Sequence, residues 1–291
     1  MSTSDYQSWL QLTEDREYRT AHPHAKVLQQ LFSNTIDSTT AVKELSLLDF
    51  INENTPWALW GLIYEAAADF PSSHSLLLAL LIEAEKLDSK LPESVLQDIP
   101  REWSGCFGSM WRDKWDIISP HALSGWTVSA SKSVTRWINM NTFSARLLAT
   151  TSFSRGAKLR PLGLSLLTKC LEADPMKYKE GRRQAQSGLQ RHSPWYKMDV
   201  SELLAADVCA AAQWIIYAGV LMWKDDRPDS PEYIQRVLPG KTDLWDGSHG
   251  FTEGRWRLWK ERFLFMAEYE DISPDAQQVA RKAGQIMGEF L

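Results

Sequence analysis

Asp225, Asp226 and Asp229 stand in a D-D-x-x-D spacing within the stretch LMWKDDRPDSPEY (221–233). Carboxylates so spaced on one helix face can share Mg²⁺ ions that neutralise a diphosphate leaving group, because the metal takes hard oxygen ligands and stays partly open to phosphate. Pro228 falls inside the motif and Pro231 just after it, so one continuous helix does not carry all three. No N-D-x-x-S-x-x-x-E partner follows downstream. The three aspartates therefore read first as an acidic loop that ends the preceding helix, with Mg²⁺ binding as the alternative. No other cofactor is expected.

The segment that precedes them, Ser201 to Trp223, is apolar nearly all round, which marks a central helix. Its polar exceptions are Asp207, Gln213 and Tyr217. Gln213 and Tyr217 lie four apart and share a face, while Asp207 sits about 120° from Gln213. Polar groups on a buried helix must find hydrogen bonds or line a cavity. Asp207 is thus a candidate acid/base, and Gln213 and Tyr217 are candidate ligand contacts. Their structural alternative is to cap neighbouring helix ends.

His249 is the second acid/base candidate, because Gly247 and Gly250 in WDGSHGF leave its ring free to be placed. An exposed loop histidine is the plainer reading. His121 reads the same way, and His22 and His24 have no further ligand-like residues beside them. The basic run Lys177, Lys179, Arg182, Arg183 and Arg191 is opposed only by Glu180. Arg182 and Arg183 could grip an anion, since guanidinium forks suit carboxylates and phosphates. Otherwise the run is a solvated connection.

Tryptophan is the compositional anomaly, with 14 residues in 291. Trp103, Trp111, Trp115 and Trp126 crowd one glycine- and proline-rich region, and Trp137 begins the next helix. Flat walls with few polar points suit a hydrophobic, polycyclic or cationic ligand. Core packing is the competing reading for this cluster, and the only one needed for Trp57, Trp60, Trp256 and Trp259, which sit at helical spacing.

Helices must position these groups. Thr55-Pro56, Ser273-Pro274 and Thr252 read as helix starts, and apolar residues recur at three- and four-residue steps through most of the chain. No strand-like alternation is visible. The pattern predicts an all-α, irregular antiparallel bundle of about nine or ten helices in a single domain over 1–291. It comprises an N-terminal helical part (about 1–99), an irregular Trp-rich segment (100–131) and a helical remainder (132–291) with long loops at 174–198 and 224–251. No period of roughly 34 to 45 residues recurs, so a solenoid is excluded.

The net charge of −5 and pI near 5.7 argue against nucleic acid as a partner. Three scattered cysteines fit a reducing compartment. The N-terminus shows no secretory pattern, and the most apolar stretch, Ala210 to Trp223, is short for a membrane span. A cytoplasmic protein is expected, compatible with a homo-oligomer. Dinucleotide, P-loop, nucleophile-elbow and zincin motifs are all missing.

Three stretches carry a family resemblance: WALWGLIYEAAADFPSSH (57–74), AAAQWIIYAG (210–219) and GFTEGRWRLWKERF (250–263) followed by a short final helix. From about residue 40 to the end the chain resembles the fungal proteins grouped as domain of unknown function 3632. The resemblance implies an ascomycete origin, a helical fold and an association with specialised-metabolite genes; it brings no catalytic residues. The functional expectation is a cyclase or isomerase without a redox cofactor, acting on a hydrophobic small molecule in an aromatic-lined pocket. The alternative is a non-catalytic helical interaction or ligand-binding protein.

Overall fold

Helix starts are written into the sequence at several places, and the computed structural model uses them. The Thr252 hydroxyl accepts from Arg255 N–H at 3.1 Å, Ser273 accepts from Ala276 N–H at 3.3 Å, and the Asp199 carboxylate accepts from Ser201 N–H at 2.7 Å. The structure describes Trp9 and residues 22–51, 56–88, 107–119, 130–187, 198–224 and 235–291. Among them lie eleven α-helices: α1 (His22–Phe32), α2 (Ser38–Ile51), α3 (Pro56–Asp69), α4 (His74–Asp88), α5 (Phe107–Ile118), α6 (Ala130–Ala149), α7 (Arg160–Leu171), α8 (Pro175–Ser187), α9 (Val200–Lys224), α10 (Glu253–Met266) and α11 (Pro274–Gly288). Short 3-10 turns span Pro71–Ser73 and Ser154–Leu159. The fold is all-α; among the described residues the only β-type pairing is an isolated bridge between Lys241 and Asp246.

Two of these helices correct the sequence reading. α5 runs through the region expected to be irregular. Phe107, Trp111 and Trp115 are four apart, so they form one buried face, and the flanking glycines had masked that period. α8 occupies most of the expected long connection at 174–198. Its N-terminus is capped by Asp174, whose carboxylate accepts from the amides of Met176 (2.9 Å) and Lys177 (3.3 Å), and Pro175 fits the first turn. Its buried residues are Pro175, Tyr178, Lys179 and Arg182, so no aliphatic stripe announces it.

The chain packs as two compact units, Met1–Trp115 with Ser152–Arg155, and Asp116–Thr151 with Gly156–Leu291. In the first, α1 packs on α2 and α3, and α4 on α2 and α3. Its core is aromatic: Trp60 lies 5.0 Å from Phe107, Phe107 lies 5.3 Å from Phe153, and Tyr64 lies 5.3 Å from Trp111. Such edge-on pairs add about 0.5–1.5 kcal/mol each beyond burial. Trp9, Phe32 and Phe70 form a second aromatic group. The Ser154 amide donates to Glu85 at 2.9 Å, tying the 152–155 segment to α4.

In the second unit α9 is the axis, packed by α6, α7, α8 and α11, while α10 packs on α11. Val200–Trp223 is long and apolar enough by composition to cross a membrane, yet 72% of its most apolar window is buried inside the protein. Gly163 lets α7 approach it: a Cβ there would lie 2.6 Å from the Trp214 ring. Arg160 donates to the Met222 carbonyl at 3.2 Å and so satisfies the end of α9, with Phe251 5.7 Å beneath its guanidinium. The Trp256 indole donates to Met287 O at 3.2 Å, which locks α10 to α11.

Candidate functional site

Asp207 lies on the buried side of α9, only 1% exposed, and three donors from two neighbouring helices converge on its carboxylate. From α6 the Trp137 indole donates to Oδ1 at 3.1 Å. From α8 the Tyr178 hydroxyl donates to Oδ2 at 2.6 Å and Arg182 Nη2 donates to the same oxygen at 3.1 Å. Arg182 Nε in turn donates to the Tyr178 oxygen at 3.1 Å. Burial, and then the Asp207 charge, push the Tyr178 phenol well above its ordinary value. Burial works against the charge on Arg182, but Asp207 and Tyr178 outweigh it and hold the guanidinium above its usual range. The cluster is therefore an ionised carboxylate neutralised by a fixed guanidinium, with a neutral phenol between them.

One turn further along α6, Asn141 extends the polar line. Its amide donates to Trp137 O at 2.9 Å, and its oxygen accepts from the Trp214 indole at 2.8 Å. Trp137 and Trp214 are both fully buried. Each indole nitrogen thus has its acceptor, and the rings fill the space between α6 and α9 as core.

A second buried acid, Glu172 at the end of α7, was not singled out by sequence reasoning. It is 0% exposed in its side chain, as is its partner Arg255 on α10. Arg255 Nε and Nη2 grip the two carboxylate oxygens at 2.6 and 3.1 Å. The Trp259 indole (2.8 Å) and the Thr242 hydroxyl (3.1 Å) supply two more donors. Arg255 spends its remaining N–H groups on the carbonyls of Gly250 and Pro239. Four donors meet the carboxylate oxygens and every Arg255 nitrogen has an acceptor, which is what a buried ion pair needs to persist. Its effect is to hold the 239–250 loop against the helices. The one available signal was Arg255 itself, an arginine set beside Trp256 and four residues before Trp259 on an aromatic face.

His249 stands in that loop, exposed, with Nδ1 accepting from Gly240 N–H at 3.0 Å. The proton of the neutral ring is then on Nε2, and the lone pair that a general base would use is already engaged. A Cβ on Gly240 would lie 2.9 Å from His249 Nε2 and 3.1 Å from Gly247 O, so a larger residue would crowd this ring, and Gly250 turns the chain at φ 85°.

The other expected residues divide. Trp111 and Trp115 are buried in the first unit, whereas Trp137, Gln213 and Tyr217 belong to the second. Trp103, Trp126, Asp225, Asp226 and Asp229 lie outside the described residues, as do His121 and Arg191. Gln213 is half-buried and donates to Cys209 O at 3.3 Å. Tyr217 is 43% exposed, with the Arg146 guanidinium 5.4 Å from its ring centre. The two expected anion-binding arginines part company, because Arg182 is held by Asp207 while Arg183 faces solvent. Lys177 pairs with Asp243 at 2.9 Å and Lys179 with Asp271 at 2.6 Å. The basic run therefore works mainly as a set of latches for α8, not as an open anion cradle. Among the described residues no three His, Cys, Asp or Glu side chains converge to hold a metal ion.

One face of α9 remains open. Ala205, Cys209, Gln213, Ile216, Tyr217 and Val220 recur at three- and four-residue steps and are all half-buried or exposed, Val220 to 49%. Arg146 of α6 overlooks this stripe at Tyr217, and the α11 end stands near it, since a Cβ on Gly219 would lie 3.2 Å from Phe290.

Neither a curated protein nor a solved structure matches the chain. A family model, described as protein of unknown function (DUF3632), matches residues 60–263. That span covers most of the chain, including α9, Asp207, Glu172 and Arg255. The chain belongs to the DUF3632 family.

Proposed function

We propose that this DUF3632 protein binds a hydrophobic small molecule along the open face of α9, with Gln213 and Tyr217 as its polar contacts. The observation that carries the reading is that the central helix of its unit leaves an apolar stripe at the surface, with Val220 49% and Tyr217 43% exposed. A half-buried amide and a phenol beside aliphatic side chains match the make-up of small-molecule sites, mostly apolar with a few polar groups that orient the ligand.

Non-catalytic binding is favoured over chemistry because both acid/base candidates are already engaged. Asp207 is enclosed by three donors, and the His249 lone pair is taken by Gly240. The catalytic form of the proposal is cyclisation or isomerisation of the same ligand in cytoplasmic fungal specialised metabolism. It would have to run on shape and on Tyr217 and Gln213, without a redox cofactor.

The test is titration of intrinsic tryptophan fluorescence and calorimetric heat against a panel of terpenoid and polyketide ligands. Val220→Asp and Tyr217→Ala should each weaken binding at least tenfold while leaving the melting temperature nearly unchanged, since both residues are exposed. Binding that survives both substitutions would refute the site. Turnover of a bound ligand would establish the catalytic form.

A further inference from the structure

Arg262 repeats the position of Arg255 on α10. Seven residues apart, the two lie two turns along the helix and within about 20° of one face. Arg255 uses Nε and Nη2, the side-on edge of the guanidinium, to hold both oxygens of Glu172. In Arg262 the same two atoms are buried, and among the described residues neither has a hydrogen-bond acceptor. The guanidinium carbon lies 4.3 Å from the centre of the Phe265 ring, and Nε and Nη2 are shielded from water.

The surroundings explain why none of the described residues fills the fork. Asp174 is the nearby acid, but its Oδ1 is committed to the first amides of α8, at Met176 and Lys177. Asp271 is held by Lys179 and by the Tyr269 hydroxyl at 3.1 Å. Cys170, also close by, is a buried thiol that burial, and next the Asp207 charge, push well above its ordinary value, so it stays neutral and offers no anion. Burial also draws the Arg262 pKa down from its ordinary value, as desolvation of an unmatched cation must. A buried donor pair without acceptors is costly to keep.

We propose that the inward edge of Arg262 is a binding site for the carboxylate of an apolar ligand. Two oxygens would sit on Nε and Nη2 as those of Glu172 sit on Arg255. Phe265, 44% exposed, over which the guanidinium lies, and the Tyr269 ring 5.5 Å from it provide apolar surface for the rest of the molecule. The charges of Asp174 and Asp271 offset those of Arg262 and Lys179, so the general field does not draw anions in. Recognition rests on the fork, which makes it selective for an anion that presents two oxygens together with an apolar body. The site shares no residue with the open face of α9 and stands or falls independently of it.

The experiment is isothermal titration of the full chain with a chain-length series of n-alkyl carboxylates, the matching methyl esters, and inorganic phosphate. Carboxylates should bind with affinity rising with chain length, and esters at least tenfold more weakly. Arg262→Met should abolish the difference between acid and ester while leaving the unliganded melting temperature equal or higher, because it removes the unmatched donors. Arg262→Lys, which keeps the charge but not the fork, should behave like the methionine variant. Three results would overturn the proposal: acids and esters binding alike, phosphate binding while carboxylates do not, or Arg262→Met lowering the melting temperature with carboxylate binding unchanged. The last would make Arg262 a structural residue. Failure of every carboxylate to bind the wild-type chain overturns it as well.

Discussion

Asp207→Asn separates a structural carboxylate from a chemical one. The side chain is 1% exposed and receives three donors, from Trp137, Tyr178 and Arg182. Asparagine keeps the shape but presents only one acceptor, so its amide nitrogen would face an indole N–H or the phenol and guanidinium. Arg182, 7% exposed in its side chain, would lose its counter-charge. Removing one partner of a buried ion pair costs about 3–5 kcal/mol, because the other charge stays buried and unmatched. For a unit of this size each kcal/mol lowers the melting temperature by about 2–4 °C, so a drop of roughly 6–20 °C is expected. Arg182→Gln should cost a similar amount. The double variant should cost less than the sum of the two, with a coupling of about 2 kcal/mol or more in a double-mutant cycle. Scanning calorimetry measures all three, and ligand titration well below each melting temperature should find affinity within about threefold of wild type. A stability change under about 1 kcal/mol in Asp207→Asn, or lost function at full stability, would refute the structural account and return Asp207 to the role of acid/base.

Glu172→Gln should destabilise by a comparable amount, about 3–5 kcal/mol, since Arg255 is completely buried. It should also make the 239–250 loop the first site of limited proteolysis; cleavage elsewhere would argue against the clamp. A pH effect follows from Cys209, whose thiol is pushed up from 9 to about 11, first by burial and then by Asp275. Above pH 9 the unfolded chain loses this proton while the folded chain keeps it, so stability falls as pH rises from about 9 to 11. The full effect is about 2–3 kcal/mol, and Cys209→Ala should remove that part of the slope in denaturation series at pH 8, 9, 10 and 11. An unchanged slope would place the thiol in a more solvated setting.

How much of this was legible depends on whether the signal is local. The starts of α10 and α11 are, because Thr252 and Ser273 cap amides three residues away, and the sequence marks both. The apolar character of α9 is also local, whereas its burial inside the protein, and not in a membrane, shows only in the packed structure. α8 was missed because its buried face is Tyr178, Lys179 and Arg182, residues that ordinarily face water, and only partners brought from α9 and from Asp271 make their burial tolerable. α5 is hidden in the sequence because Gly105 and Gly108 stand close to Phe107, and turn residues outweigh an aromatic period of four residues.

The candidate site shows the same division. Asp207 stood out as a carboxylate on an apolar helix, and the need for hydrogen-bond partners followed from burial alone. Which partners it has did not follow, because Trp137, Tyr178 and Arg182 come from segments 70, 29 and 25 residues away. Glu172 carries no local mark at all, for it ends a helix among ordinary leucines and becomes a clamp only when α10 brings Arg255 and Trp259 to it. Periodicity and capping act within a few residues, so the sequence by itself determined the helical class, the central helix and several helix starts. Charge pairing and enclosure act across the chain, so tertiary structure alone decided which charges are latches, and which fork, at Arg262, is left without an acceptor among the described residues.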